Sequence, residues 1–294
     1  MTFDGMPDMP GLTDLDVGDT GIASFAGMPA LPALTRLNLG GTRIASLAGM
    51  PWLPTLTSLS LGDTQVESFA GLKALPALAH LDLSGARIGS LGGLPALPNL
   101  ESLTLRGAGL ETLAGMPVLP GLKRLCLHDT PVGSLAGMPA LPALTELDIS
   151  GSRVASLRGM PALPALERLD LGATPITDLA GMPDLPALKR VRLDGTSIES
   201  LAGLPGVKAL DIGATRIVSL GEVPETVERL DLNPRSRAFR LTSLAGVERL
   251  TRLRWLDLRG TGITDLGRLA GRDPMPRVLV DRPRRRTRQK DMVV

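Results

Sequence analysis

The stretch LTELDISGSRVASLRGMPALPA, residues 144–165, is the unit from which the rest of the chain is built. Its opening pattern, L-x-x-L-x-L, recurs every 22 residues from the following starts: Leu12, Leu34, Leu56, Leu78, Leu100, Leu122, Leu144, Leu166 and Leu188. Further starts at steps of 19, 20, 26 and 22 residues are Val207, Val227, Leu253 and Met275. A period of this length is typical of a solenoid, so we expect twelve stacked units and a closing strand at 275–280.

Each unit contains one short strand. The last two leucines of L-x-x-L-x-L are two residues apart, so they face one side of a strand while the residue between them faces the other. Strands repeated in this way predict a parallel sheet on the concave wall of the solenoid. The segment SLAGMPALPA, residues 134–143, carries Pro139 and Pro142, which exclude a long helix. We therefore expect short 3-10 or extended segments on the convex side, with the Met of each Gly-Met-Pro turn packed inward.

These units resemble bacterial leucine-rich repeats of the internalin type, which also run at 22 residues. The resemblance covers nearly the whole chain and implies an α/β-repeat fold, a leucine-rich-repeat solenoid shaped as a right-handed horseshoe. One position departs from the family, because Thr replaces the usual Asn in eight units: Thr20, Thr42, Thr64, Thr130, Thr174, Thr196, Thr215 and Thr261. A hydroxyl cannot bridge two backbone groups as an amide does. Where Ala86 and Ala108 stand instead, we expect backbone groups to be left to water.

A second resemblance concerns the unit at 207–226. With its continuation VSLGEVPETVERLDL, residues 218–232, it is similar to repeats in type III secreted effectors of the ubiquitin-ligase class. That resemblance implies one of two functions. The chain is either an interaction module, such as a bacterial effector or scaffold, or the substrate-recognition part of an effector enzyme whose catalytic domain is absent.

Charge and composition divide the chain into three regions. Residues 1–11 form a partial N-terminal cap, with Phe3, Met6 and Met9 as candidate lids, and residues 12–280 form the repeat domain. Residues 281–294 are a basic tail, expected to be disordered, with six Lys or Arg and two Asp. Since the whole chain carries +2 and the tail +4, the remainder carries −2. The excess of basic residues thus lies in the tail. The two interpretations of this segment are a contact with nucleic acid and a disordered, solubilising end. Incompletely capped ends also leave self-association open.

Catalytic motifs are scarce. Cys126 and His128 are two residues apart, so both side chains project from the concave face. Side chains at this spacing on a strand are about 7 Å apart, which is too far for direct proton transfer. Metal binding by this pair would need another ligand, and His80 is two repeats away. No phosphate-binding glycine motif is present. We expect no enzyme activity, no cofactor and no metal.

Two columns of concave residues are the candidate partner site. Asp recurs in L-D-L, either as a solvated column or as an attractor of cations and basic partners, and Arg recurs two residues earlier in the later units. The 26-residue unit adds NPRSRAFR, residues 233–240, and the next unit places Trp255 on the concave face. Arg and Trp are enriched at binding hot spots. The predicted partner-binding residues are Arg168, Arg190, Arg192, Arg229, Arg235, Arg237, Phe239 and Trp255. An alternative role for Phe239 and Trp255 is a contact that seals the last repeats.

The N-terminal sequence MTFDGMPDMPG has no basic region followed by an apolar run, and no ~18-residue apolar stretch occurs. The sequence therefore predicts a cytoplasmic protein that contacts no membrane. Delivery into a host cell by a dedicated secretion system is the alternative.

Overall fold

The chain forms one continuous parallel sheet. A computed structural model describes residues 1–234 and 240–281, and in it thirteen strands, β1 to β13, lie side by side in sequence order. The strands are Asp14–Asp16, Arg36–Asn38, Ser58–Ser60, His80–Asp82, Ser102–Thr104, Arg124–Cys126, Glu146–Asp148, Arg168–Asp170, Arg190–Arg192, Ala209–Asp211, Arg229–Asp231, Trp255–Asp257 and Arg277–Leu279. Each strand coincides with an L-x-x-L-x-L start, so the predicted solenoid fold is confirmed.

The alternation along each strand separates core from surface. Leu37 at the centre of β2 and Leu39 just after it are buried, whereas Arg36 is exposed on the opposite, concave face. Ile44 and Leu47 follow the strand and are also fully buried. Burial of one Leu or Ile side chain contributes about 1.5–3 kcal/mol. Because each unit repeats this set, the core is a continuous stack and each unit completes the burial of its neighbour.

The convex side is almost free of helix. The only helices among the described residues are two 3-10 turns, Val247–Arg249 and Gly267–Leu269. Elsewhere the segments turn and extend as the prolines predict. Met50, Met116, Met138 and Met160 are buried, which confirms that the Gly-Met-Pro methionines pack inward in those units. In the part of the chain that the structure describes, no helix is long and apolar enough to cross a membrane.

In most units a hydroxyl or carboxylate accepts a backbone hydrogen bond at the start of the convex turn. The Oγ of Ser46 accepts a hydrogen bond from the backbone N–H of Ala48 at 3.1 Å, and Ser134 does the same for Ala136. Asp178 takes this role for Ala180 at 2.9 Å. Short side chains of this kind can satisfy a backbone donor two residues on. The Ser of SLAGMPALPA is therefore a turn residue that compensates for the absence of helical hydrogen bonds.

The Thr that replaces the usual Asn has a uniform role. Thr42 and Thr64 donate from Oγ1 to the carbonyl oxygens of Leu39 and Leu61, both at 2.6 Å. The other six Thr units make the same bond to the residue three positions earlier. At Ala86 this hydroxyl bond is lost, and the Leu83 carbonyl keeps the bond from the N–H of Ala86 at 3.1 Å, which most of the Thr units also make. A tight turn at this point satisfies the carbonyl without a side chain.

One turn position has positive φ in every unit that follows the regular pattern. It is held by Asp19, Gly41 and Asp63 in the first three units and by Ala173 and Ala214 in later ones. A Cβ at the glycine of one unit would collide with the Asp of the unit before it, as at Gly41 beside Asp19. Left-handed backbone costs a residue with a Cβ about 1–2 kcal/mol. Each Asp at this position is accordingly followed by Gly in the next unit, as in Asp19 and Gly41 or Asp63 and Gly85.

The N-terminal end of the core is covered by the first residues. The ring of Phe3 is 5% exposed and stacks on Phe25 with centroids 6.3 Å apart. The N–H of Phe3 donates to the carbonyl of Ala26 at 2.8 Å. Met6 and Met9 are partly buried against the same core. These contacts shield the first unit, whose exposed flank would otherwise have no neighbour to pack on.

Candidate functional site

The concave face consists of two columns of outward-facing residues, one at each end of the strands. We call them the first and second columns. From β1 to β13 the first column is Asp14, Arg36, Ser58, His80, Ser102, Arg124, Glu146, Arg168, Arg190, Ala209, Arg229, Trp255 and Arg277. The second column is Asp16, Asn38, Ser60, Asp82, Thr104, Cys126, Asp148, Asp170, Arg192, Asp211, Asp231, Asp257 and Leu279. Neighbours in a column are paired strand residues, about 5 Å apart.

The carboxylates of the second column bond the chain's own backbone. Asp170 accepts the N–H of Gly172 at 3.0 Å, and Asp231 accepts the N–H of Asn233 at 2.9 Å. The same bond to the residue two positions on occurs in six other units, one of them through the amide oxygen of Asn38. The Asp column is thus a row of turn-forming residues as well as a charged surface. This role was not predicted from the sequence, although a short polar side chain two residues before Gly, Ser or Asn is a common signal of such a turn.

Burial dominates the titration of Asp170. Desolvation raises the pKa of this carboxyl, and the neighbouring charges of Asp148 and Asp194 raise it further. The N–H of Gly172 and the guanidinium of Arg192 act in the opposite direction without overcoming the desolvation.

Arg192 interrupts the acidic second column and is held by three carboxylates. Its guanidinium lies 2.9 Å from Asp170, 3.1 Å from Asp194 and 3.6 Å from Asp211. Burial acts to lower the pKa of Arg192, but the three carboxylates outweigh it and raise the pKa. This arginine is therefore a fixed cation whose charge is compensated within the sheet.

Ion pairs in the first column run along the column. Arg168 bonds Glu146 on the preceding strand at 2.5 Å, and Arg36 pairs with Asp14 in the same manner. At the edge of the sheet, Lys123 pairs with Glu101 at 2.8 Å. All these side chains are more than a third exposed, so each pair contributes at most about 1 kcal/mol.

A depression forms on the concave face at Ala209, the smallest side chain among the later residues of the first column. Ala209 on β10 lies between Arg190 on β9 and Arg229 on β11. The guanidinium carbon of Arg229 stands 4.6 Å from the ring centroid of Trp255 on β12, a cation–π contact. The volume is about 250 Å³, and its lining residues are Arg190, Val191, Arg192, Ala209, Leu210, Asp211, Arg229, Asp231 and Trp255. We call this depression the Ala209 pocket.

The structure brings together four of the predicted partner-binding residues. Arg190, Arg192, Arg229 and Trp255 line the Ala209 pocket, while Arg168 lies outside it and lines a neighbouring depression of about 340 Å³. Three others, Arg235, Arg237 and Phe239, lie outside the described residues, and so does the proposed Phe239–Trp255 contact. Ala209 was not predicted as a site residue. Its one indication in the sequence is its small size in a column of long side chains.

Cys126 and His128 do not form a hydrogen-bonded pair of side chains. The thiol of Cys126 lies 3.8 Å from a carboxylate oxygen of Asp148. His128 uses Nδ1 toward Ser150 at 2.7 Å and Nε2 toward Asp129 at 2.9 Å. Burial raises the pKa of the Cys126 thiol, and Asp148 adds to the increase. A protonated thiol without a base is a poor nucleophile. Within residues 1–234 and 240–281, no group of His, Cys, Asp and Glu is suited to hold a metal.

Comparison with known proteins gives matches of structure alone. No protein-family model matches the chain, and no curated protein matches its sequence. An internalin, InlF, from Listeria monocytogenes is 23% identical over 92% of this chain and 87% of that chain, with a TM-score of 0.63. YopM from Yersinia enterocolitica is 23% identical, with a TM-score of 0.59, over 85% of this chain and 56% of that chain.

The leucine-rich-repeat domain of APL1 is 20% identical over 85% of this chain and 74% of that chain, with a TM-score of 0.65. All three similarities are similarities of fold. The chain therefore has the leucine-rich-repeat architecture that its 22-residue period predicts, and the resemblance to internalin repeats is confirmed at the level of structure.

Proposed function

We propose that this leucine-rich-repeat chain is a protein-interaction module that binds its partner on the concave face, with the contact centred on the Ala209 pocket. In this role it acts as a scaffold or effector by binding and carries out no reaction of its own. The observation that carries the proposal is the grouping of Arg190, Arg229 and Trp255 around Ala209 on a rigid sheet. Fold alone does not assign a function, so the function is assigned from the residues of this pocket.

The chemistry of the pocket favours recognition of a macromolecule. Trp and Arg in a central depression are the residue types that carry most binding energy at protein interfaces. Their positions are set by strands, so little conformational entropy is lost when a partner binds. The pocket is open and its volume of about 250 Å³ is below the ~300–1,000 Å³ of typical small-molecule sites. It suits a few side chains of a larger partner.

Two further observations favour binding over catalysis. Cys126, the single cysteine of the chain, has a raised pKa, and His128 is bonded to residues other than the thiol. In addition, most carboxylates of the second column are engaged by backbone N–H groups, as at Asp170 and Asp231. These groups hold the sheet surface in place and are not arranged as an acid–base pair around a pocket.

Site-specific photo-cross-linking tests the proposal. A photoreactive amino acid replaces Arg277, the exposed concave residue paired with Trp255 on the next strand, or the exposed Ala162 on the convex face, and each protein is exposed to candidate lysates. We expect one protein to cross-link from position 277 and not from 162. The same protein should be lost from pull-downs with Trp255→Ala and retained with His80→Ala, which alters the first column on β4, eight strands before β12. Cross-linking from 162 alone, or undiminished capture by Trp255→Ala, would contradict the proposal.

A further inference from the structure

We infer that the Ala209 pocket binds the side-chain carboxylate of an acidic peptide segment in the protein partner, with the carboxylate inserted above Ala209 between Arg190 and Arg229. This inference rests on the proposed function and gives the chemistry of the segment that the concave face recognises. It follows from three features of the pocket: the spacing of the two arginines, the state of their charges, and the acidic residues of the lining.

The register of the strands creates a gap between two guanidinium groups. Arg190, Ala209 and Arg229 are direct partners on β9, β10 and β11, so the two arginine Cα atoms are about 10 Å apart with a methyl group between them. Both arginines are exposed, whereas Ala209 is half-buried. A carboxylate placed in the gap can accept paired N–H donors from a guanidinium on either side.

The charges of these two arginines are not compensated. Among the described residues, Arg190 and Arg229 take part in no ion pair, whereas Arg168 is bonded to Glu146 and Arg192 to three carboxylates. Arg229 instead rests on the ring of Trp255, which orients the guanidinium without neutralising it. Two cations without an ion-pair partner among the described residues, one of them oriented by Trp255, flank a small residue and form an anion site.

The lining favours a carboxylate over a phosphate or a nucleic acid. Asp211 and Asp231 line the same pocket from the second column, and each accepts a backbone N–H. Like charges repel more strongly as the ligand charge rises, so a singly charged carboxylate is tolerated better than a dianionic phosphate. A continuous phosphate backbone along the first column would also run beside the whole acidic column. The net charge of −2 over residues 1–280 adds to that repulsion.

Fluorescence of Trp255 provides a direct test. The chain has two tryptophans, and Trp52 is 59% exposed on the convex side, so Trp52→Phe leaves Trp255 as the single reporter. The probes are a blocked ten-residue glutamate peptide, the matched glutamine peptide and a ten-nucleotide oligothymidylate. We expect the glutamate peptide alone to change the Trp255 emission saturably at low ionic strength. Arg190→Gln and Arg229→Gln should each weaken this binding about tenfold.

Filling the gap separates insertion from general attraction of charge. Ala209→Leu leaves every charge in place but occupies the space between the arginines, so it should weaken peptide binding about tenfold. Ala209→Glu supplies a competing carboxylate and should have the same effect, which keeps the test valid if the Leu variant folds poorly. The controls are Ser58→Leu, the same enlargement on β3, and Arg124→Gln, the same loss of charge on β6. Neither should change the affinity by more than about twofold.

Several outcomes would overturn the inference: unchanged peptide binding by both Ala209 variants, equal binding of the glutamine peptide, or tighter binding of oligothymidylate. Cross-linking of a partner from position 277 without any binding of the glutamate peptide would rule out a carboxylate as the ligand and leave the proposed function supported. Peptide binding that depends on the Ala209 gap, with no partner cross-linked from position 277, would contradict the proposed function instead.

Discussion

The carboxylate of Asp129 lies against the backbone of Gly151, the corresponding turn residue of the next repeat. Both residues have positive φ, 56° and 68° respectively. A Cβ on Gly151 would fall far inside van der Waals distance of the Asp129 carboxylate. The two repeats are thus matched at this turn, because a side chain in one requires its absence in the other.

Substitution of Gly151 by Ala should therefore cost more than backbone strain. Strain alone costs about 1 kcal/mol at such a position, and displacing the Asp129 carboxylate from its contact with His128 should add up to about 1 kcal/mol. Gly107→Ala is the matched control, since Gly107 has φ of 64° and nothing within 4 Å of its Cβ position. Urea unfolding midpoints of the two variants would measure the difference. The double variant Asp129→Gly, Gly151→Ala should return to the cost of the control; equal midpoints for the two single variants would contradict the steric account.

Ser152→Thr should stabilise the protein. Ser152 is 3% exposed and stands where eight other units have Thr, but its Oγ has no hydrogen-bond partner. Threonine would direct its hydroxyl to the Ile149 carbonyl, as Thr130 does to Leu127 at 2.7 Å, and would bury one more methyl group. The bond and the methyl should together add about 1–2 kcal/mol. Thermal unfolding measures the gain, and the reverse change Thr64→Ser should give a loss of similar size. A lower Tm for Ser152→Thr would show that the turn has no room for the methyl.

The stability of the protein should depend on pH through the titration of Asp170. Its pKa in the folded state is raised above the ordinary 3.8, so the folded protein binds this proton more readily than the unfolded chain does. The contribution of Asp170 to stability is then present at low pH and is lost as the pH rises through the folded-state pKa. Relative to Asp170→Asn, the wild-type protein should become less stable as the pH rises from the unfolded-state pKa through the raised folded-state pKa.

Glu222 is the control of opposite sign. The hydroxyl of Ser200 lowers the pKa of this carboxylate, and the N–H of Leu201 lowers it further. Its contribution is present above the unfolded-state pKa and is lost as the pH falls through the folded-state pKa. Relative to Glu222→Gln, the wild-type protein should become more stable as the pH rises. Urea unfolding at several pH values compares each variant with the wild-type protein. If the wild-type protein instead gained stability relative to Asp170→Asn as the pH rose, Arg192 and the Gly172 N–H would outweigh burial.

The fold could be predicted from the sequence because every unit repeats the same spacing of buried leucines and the same turn-forming prolines. The spacing of Leu37 and Leu39 determines which face of the strand is buried, and Pro139 and Pro142 exclude a helix opposite it. The Ala209 pocket could not be predicted in the same way. It depends on which side chains become neighbours across strands in units of 19 and 20 residues, and on a rotamer of Arg229 that places its guanidinium over Trp255.

The Asp column shows a different limit. Periodicity placed Asp170 and Asp231 on the concave face correctly, yet their bonds to the N–H groups of Gly172 and Asn233 depend on how the chain turns after the strand. Ion pairs also form along each column, as in Arg168 with Glu146 and Arg192 with Asp170. Neighbouring strands bring these groups together, so their pairing is a property of the stacked units and not of one unit's sequence.

Alkylation of Cys126 should be slow and should respond to Asp148. The thiolate is the reactive form, and burial raises the pKa of this thiol, so little thiolate is present near neutral pH. Asp148→Asn removes a carboxylate 3.8 Å from the sulfur and should lower the pKa, so iodoacetamide should react several-fold faster at the same pH. The pH at half-maximal rate gives the pKa for each protein. His128→Ala should leave that pH nearly unchanged, because the imidazole is bonded to Ser150 and Asp129. A large rise in the pKa with His128→Ala would mean that the imidazole stabilises the thiolate, and would reopen the Cys126–His128 pair as a catalytic dyad.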